Sequence, residues 1–181
     1  MTPDFAGNLK NALEKALSGL STLEKLNRLS GGASQETWAF DAIVNGERLP
    51  LILRRSPGGA PRVIGEGSAA VALATEALAI EAARKTGVKA PRVHYVLKPE
   101  DGVGEGYVMQ RMVGETIARK ILRDAEFDAV RTDLARQCGE VLARIHQVDV
   151  ASLKDHLPVV DGAAQLRQYR DRYDSYDYPH P

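Results

Sequence analysis

The sequence carries no surplus of charge. Its 24 lysine and arginine side chains are matched by 24 aspartates and glutamates, so there is no net positive field to draw in the phosphate backbone of DNA or RNA. Nucleic acid is not an expected partner. Cysteine is nearly absent: the single one, Cys138, cannot close an intrachain disulfide, and it falls in an amphipathic stretch where a small apolar residue is expected. A cytoplasmic, reducing setting fits that usage. Long apolar runs are missing too. No segment approaches the roughly 20 apolar residues needed to span a bilayer, and near the start Asp4, Lys10, Glu14 and Lys15 interrupt the apolar residues, unlike a signal peptide. No membrane association is expected.

What is present suits a folded domain: 181 residues, 44% hydrophobic and 27% charged, enough to bury a core. Pro3 and Asp4 suit a first helical turn, and Leu9, Leu13, Leu17 and Leu20 then recur at helical spacing, which predicts an N-terminal helix within residues 1–21. Residues 22–29 and 38–44 read as strands on either side of a glycine turn, the second from its alternation of Trp38, Phe40, Ala42 and Val44. Asn45-Gly46 favours a tight hairpin, because both residues tolerate positive φ, and it leads into a third strand over residues 49–53.

The prolines and glycines of residues 55–67 predict a loop. Ser68 can then cap an alanine-rich helix that runs to Lys85 and closes on Gly87, ahead of Pro91. Residues 92–97 and 107–112 complete a set of five strands. Beyond Gly114 the pattern turns helical: a short helix over 116–123, a long one over 128–146 with Leu134, Cys138, Val141, Leu142 and Ile145 on one face, and a third over 165–176 carrying Tyr169, Tyr173 and Tyr176. The expected fold is α+β. A five-stranded antiparallel sheet with a helix occupies residues 22–113, and residues 114–181 begin a helical segment.

Ser30-Gly31-Gly32-Ala33-Ser34-Gln35 joins two antiparallel strands. Glycines there allow close backbone approach, so that successive amides, helped by the Ser34 hydroxyl, could donate to phosphate oxygens. No Gly-Lys-Ser/Thr follows, so this is not a Walker loop; taken in isolation, a plain turn of small residues is the better reading. Arg54 and Arg55 end the third strand, where a kinase-type site needs a cation for the α- and β-phosphates. Glu76 on the next helix is placed to pair with Arg54 and orient it, and Glu81, further along, is a competing partner.

The ordered set of Leu29-Ser30-Gly31-Gly32-Ala33-Ser34, Leu51-Ile52-Leu53-Arg54-Arg55, Thr75-Glu76-Ala77-Leu78, Thr86-Gly87-Val88 with Pro91-Arg92-Val93, Tyr107-Val108-Met109-Gln110-Arg111-Met112-Val113-Gly114 and Gly139-Glu140-Val141-Leu142-Ala143-Arg144-Ile145-His146 resembles the aminoglycoside phosphotransferase family. The similarity is strongest to the branch related to kinase-like domains fused to acyl-CoA dehydrogenases. The resemblance implies a protein-kinase-like fold whose first lobe binds ATP with Mg²⁺ and whose activity transfers the γ-phosphate to a small-molecule hydroxyl. It implies that Met109 is the gatekeeper behind adenine, with the Gln110 carbonyl and the Met112 amide bonding the adenine edge. Arg54 stands where protein kinases carry lysine; its fork stays charged and can hold two oxygens.

The same resemblance calls for a His-Gly-Asp loop with a following Asn, and a later metal-binding Asp. None of His94, His146, His156 and His180 is followed by Gly-Asp. No catalytic or metal-binding residue is therefore assigned. His146 reads as a packed residue at a helix end, and the catalytic loop and Mg²⁺ ligands are expected after residue 181. A chain of this kind is expected to be inactive alone and to self-associate through apolar surface that an incomplete helical lobe would expose. A non-catalytic nucleotide- or partner-binding module is the other reading.

Overall fold

The computed structural model describes residues 4–30, 35–60 and 70–176. Helix α1, Phe5–Glu14, lays Phe5, Leu9, Ala12 and Leu13 on one buried face. Strands β1 (Leu20–Arg28), β2 (Glu36–Val44) and β3 (Glu47–Arg55) follow, then α2 (Leu73–Lys85), β4 (Val93–Val96) and β5 (Gly106–Gln110). The five strands form one sheet in the order β1-β2-β3-β5-β4, and every neighbouring pair is antiparallel. Helices α3 (Ala118–Arg123), α4 (Asp128–Ile145) and α5 (Gly162–Asp174) come after it. The order of strands and helices is the expected one, and the α+β class holds.

Strand alternation explains why a helix packs on each side of the sheet. Trp38, Phe40, Ala42, Leu51, Leu53 and Val108 face α1 and form the larger core with Phe5, Leu9 and Leu13. The residues between them face the other way, where Tyr107 joins Leu73 and Ala77 of α2, with Ile80, Val93, Val96 and Met109 packed around.

Local chemistry fixes several joints. Asn45 (φ 52°) and Gly46 (φ 82°) both adopt the left-handed conformation in the β2–β3 hairpin, as a two-residue turn of this kind requires. At the end of α2 the Val88 amide donates to the Ala83 carbonyl and the Gly87 amide to that of Arg84, the paired bonds of a Schellman cap. Gly87 has φ +83° with nothing within 4 Å of a Cβ placed there. Gly87→Ala should therefore lower stability by about 1 kcal/mol through backbone strain alone, measurable as a reduced urea midpoint with an unchanged m-value.

Some boundaries differ from the sequence reading. The first helix stops at Glu14; Gly19 turns with φ +84°, and Leu20 opens β1. Leu17 and Leu20 are apolar because both pack on the core, so their spacing continues a helical rhythm without the helix. Strand β5 ends at Gln110, two residues before Met112. Ser68 lies outside the described residues, and the residue at the α2 N-cap is Ala72, which offers no capping side chain.

Helix α4 exposes the apolar face that includes Val141, Leu142 and Ile145, and Tyr169, Tyr173 and Tyr176 are exposed as well. Cys138 is exposed rather than filling a core position. His146 caps α4 but is exposed, not packed. Among the described residues, no helix is long and apolar enough to cross a membrane.

Candidate nucleotide site

The site lies on the α2 side of the sheet. The β2–β3 register sets Thr37 opposite Arg54 and Ala39 opposite Ile52, and the β3–β5 register sets Ile52 opposite Met109 and Arg54 opposite Tyr107. Paired residues share a face, so Ala39, Ile52, Arg54, Tyr107 and Met109 are brought onto one surface. Arg54 is the cation on it. Its Nε lies 3.1 Å from Glu76 Oε1, and the Tyr107 hydroxyl donates to the same oxygen at 3.2 Å. Glu81 is not the partner of Arg54: it accepts from the Val93 amide at 2.6 Å and pairs with Arg84.

Arg54 remains available to a further anion. Its side chain is 36% exposed, although the Nε beside Glu76 is buried. Glu76 itself sits in the first turn of α2, where a carboxylate also meets the positive end of the helix dipole.

The adjacent arginine has a different task. Successive residues of a strand point to opposite faces, and Arg55 turns toward α1, where its guanidinium lies 4.4 Å from the Phe5 ring centroid. Its Nε donates to Glu36 Oε2 at 2.8 Å and its Nη1 to the Val103 carbonyl at 2.8 Å. Glu36 also accepts from the Trp38 indole at 3.1 Å and the Gly58 amide at 3.1 Å, and Arg28 Nη1 lies 3.4 Å away. Burial works to raise this carboxyl, but the Gly58 amide, the Trp38 indole and Arg55 outweigh it and hold the pKa down at about 2.

Arg28 ends β1 and Glu36 begins β2, so this network ties together the two strand ends that flank the glycine-rich segment. Gly31, Gly32, Ala33 and Ser34 lie outside the described residues. Gln35 is within them and is buried, at 9% exposure. The sequence reading missed the Glu36 hub; the adjacency of Arg54 and Arg55 was its signal, since alternation lets only one of them face the site.

At the other end of the site, the strand gives way to residues 110–112. The Gln110 amide donates to the Arg92 carbonyl at 2.8 Å and the Arg111 amide to that of Pro50 at 3.1 Å. Arg111 Nη2 donates to Asp41 Oδ1 at 2.6 Å, and Arg48 lies 2.5 Å from the second oxygen of that fully buried carboxylate. Burial alone would raise Asp41; the two guanidiniums prevail and hold it below the usual carboxylate range. The Asp41–Arg111 pair thus latches the segment between Gln110 and Met112 to β2. Met109 packs against the α2 cluster, while Gln110 and Met112 are exposed.

Residues 25–179 match the model of a family described as the phosphotransferase enzyme family. The chain belongs to that family. No curated protein matches the chain. The family match and the five-stranded sheet with its flanking helix agree on a kinase-like first lobe followed by helices. The phosphotransferase match begins inside β1 and ends beyond α5, so it takes in most of the sheet, the Arg54–Glu76 pair and helices α2 to α5.

Proposed function

We propose that this chain supplies the ATP-binding part of a phosphotransferase that moves the γ-phosphate of ATP to the hydroxyl of a small molecule. The observation that carries the reading is the Arg54–Glu76 ion pair, 3.1 Å apart, at the end of β3, the second strand after the glycine-rich segment. A guanidinium oriented by a carboxylate, on a partly exposed side chain, fits an anionic oxygen.

In this reading the backbone amides of Gly31, Gly32 and Ala33, with Ser34 and Gln35, hold the terminal phosphates, and Arg54 holds the α- and β-phosphate oxygens. Ala39, Ile52 and Met109 offer the apolar surface for adenine. The Gln110 carbonyl accepts from the base and the Met112 amide donates to it, on a segment kept in place by Asp41 and Arg111. ATP supplies the phosphoryl group.

The described residues include no group of three or more His, Cys, Asp or Glu side chains that could hold a metal ion. Mg²⁺ that accompanies a triphosphate is held chiefly by phosphate oxygens with one or two protein carboxylates, and no residue is assigned to it. The acceptor hydroxyl could belong to an aminoglycoside, a hydroxyacyl thioester or another metabolite, and acceptor competition assays on the gene product would separate these.

Amide chemical-shift mapping tests the nucleotide reading. Adding ATP to the labelled chain should move the resonances of residues 29–37, Arg54 and residues 109–112 in a saturable way. No saturable change, or change confined to α4 and α5, would sink it.

A further inference from the structure

Helix α2 does not supply its own N-terminal cap. Ala72 precedes it and has no side-chain acceptor. The Leu73 amide donates instead to Glu105 Oε1 at 3.1 Å, across 32 residues of sequence. Glu105 is held at both ends of its own peptide: its carbonyl accepts from the Ser56 amide at 3.0 Å, and its amide donates to the Gly59 carbonyl at 3.2 Å. A first-turn amide, which the helix itself does not satisfy, is thereby fixed to the segment that leaves β3.

Two residues further along the chain, on β5, the buried Tyr107 hydroxyl donates to Glu76 Oε1 at 3.2 Å. Leu73 and Glu76 are one helical turn apart and so lie on the same side of α2. The first turn of the helix is thus gripped twice, at a backbone amide by Glu105 just before β5 and at the carboxylate that faces Arg54 by Tyr107 on it. Burial, and then the Glu76 carboxylate, push the Tyr107 phenol well above its ordinary range, so it remains a donor at any pH at which binding would be measured.

We infer that Glu105 and Tyr107 are positioning residues for the phosphate-binding cation: they hold Glu76 against Arg54 before any nucleotide arrives. The inference rests on the nucleotide reading above. It adds that the Arg54–Glu76 pair is preset by the sheet and does not need nucleotide to draw α2 inward. Without the Tyr107 hydroxyl, Glu76 Oε1 loses one of its two contacts, and the carboxylate can turn away from Arg54 while the tyrosine ring keeps its packing.

The test compares ATP affinity in the parent chain, Tyr107→Phe, Glu76→Gln and the double variant, with the thermal midpoint recorded for each. Tyr107→Phe should weaken ATP binding about fivefold, the scale of one ordinary hydrogen bond acting through Glu76, at a nearly unchanged thermal midpoint. The double variant should bind no worse than Glu76→Gln alone, because the hydroxyl acts through that carboxylate. Glu105→Ala should also weaken binding, and Glu105→Gln, which keeps the acceptor oxygen, should restore it.

Tyr107→Phe with the affinity of the parent overturns the inference, whatever happens to its thermal midpoint. So do additive effects of Tyr107→Phe and Glu76→Gln. If Tyr107→Phe does not fold, the Glu105 pair decides: equal affinities of Glu105→Ala and Glu105→Gln overturn it, and rescue by Gln supports it. A parent chain that binds no ATP overturns the nucleotide reading itself, and this inference with it.

Discussion

Replacing Glu36 with alanine is expected to cost about 3–5 kcal/mol of stability, the range for removing one partner of a buried ion pair. The partner left behind is the reason. Arg55 has a side chain only 10% exposed, wedged between the Phe5 and Trp38 rings and the Val103 carbonyl. Its charge cannot be shed, and the cation–π contacts alone do not replace a carboxylate. The Trp38 indole and the Gly58 amide lose their acceptor in the same step. Chemical denaturation followed by Trp38 fluorescence would read the loss. A change below about 1 kcal/mol, the scale of an exposed pair, would mean that Glu36 does not organise this end of the sheet.

The same carboxylate sets a pH dependence. Its folded-state pKa, about 2, lies below the ordinary 4.5, so the unfolded chain takes up the proton first as pH falls. The stabilisation is complete above pH 4.5 and is lost progressively toward pH 2. Thermal midpoints measured across that window should drop more steeply for the parent chain than for Glu36→Gln, in which the titrating group is gone.

Much of the fold was legible because its signals are local. Asn45-Gly46 forces a two-residue hairpin whatever surrounds it, and Gly87 ends a helix by its own left-handed backbone. The pairing of Arg54 with Glu76 was legible for a different reason: a strand end and the first turn of the next helix have few ways to meet. What escaped depends on register. Glu36 gathers donors or charges from positions 28, 38, 55 and 58, and only the assembled sheet brings these together. The Glu105 cap on α2 escaped for the same reason. The end of α1 was misread because Leu17 and Leu20 serve the core from a turn and a strand, so apolar spacing alone could not mark where the helix stops. On α4 the periodicity gave the helix correctly, but periodicity does not say what an apolar face meets, and Val141, Leu142 and Ile145 are exposed.

The other large effect expected is on binding. Arg54→Met keeps the apolar stem of the side chain and removes the guanidinium. Because Arg54 is partly exposed, its pair with Glu76 adds no more than about 1 kcal/mol to folding, and the variant should remain folded. ATP affinity should nevertheless fall about 10- to 100-fold, as expected when a hydrogen-bonded charge contact to phosphate is lost. A binding residue and a structural one are separated by this contrast: Arg54→Met should act on affinity and spare stability, whereas Glu36→Ala should act first on stability.

Calorimetric titration of ATP into the parent chain and into Arg54→Met, under the same buffer and temperature, tests the central claim most directly. Saturable binding by the parent and a loss of about one to two orders of magnitude in the variant are expected. Equal affinities in the two proteins, or no binding by the parent, would contradict it.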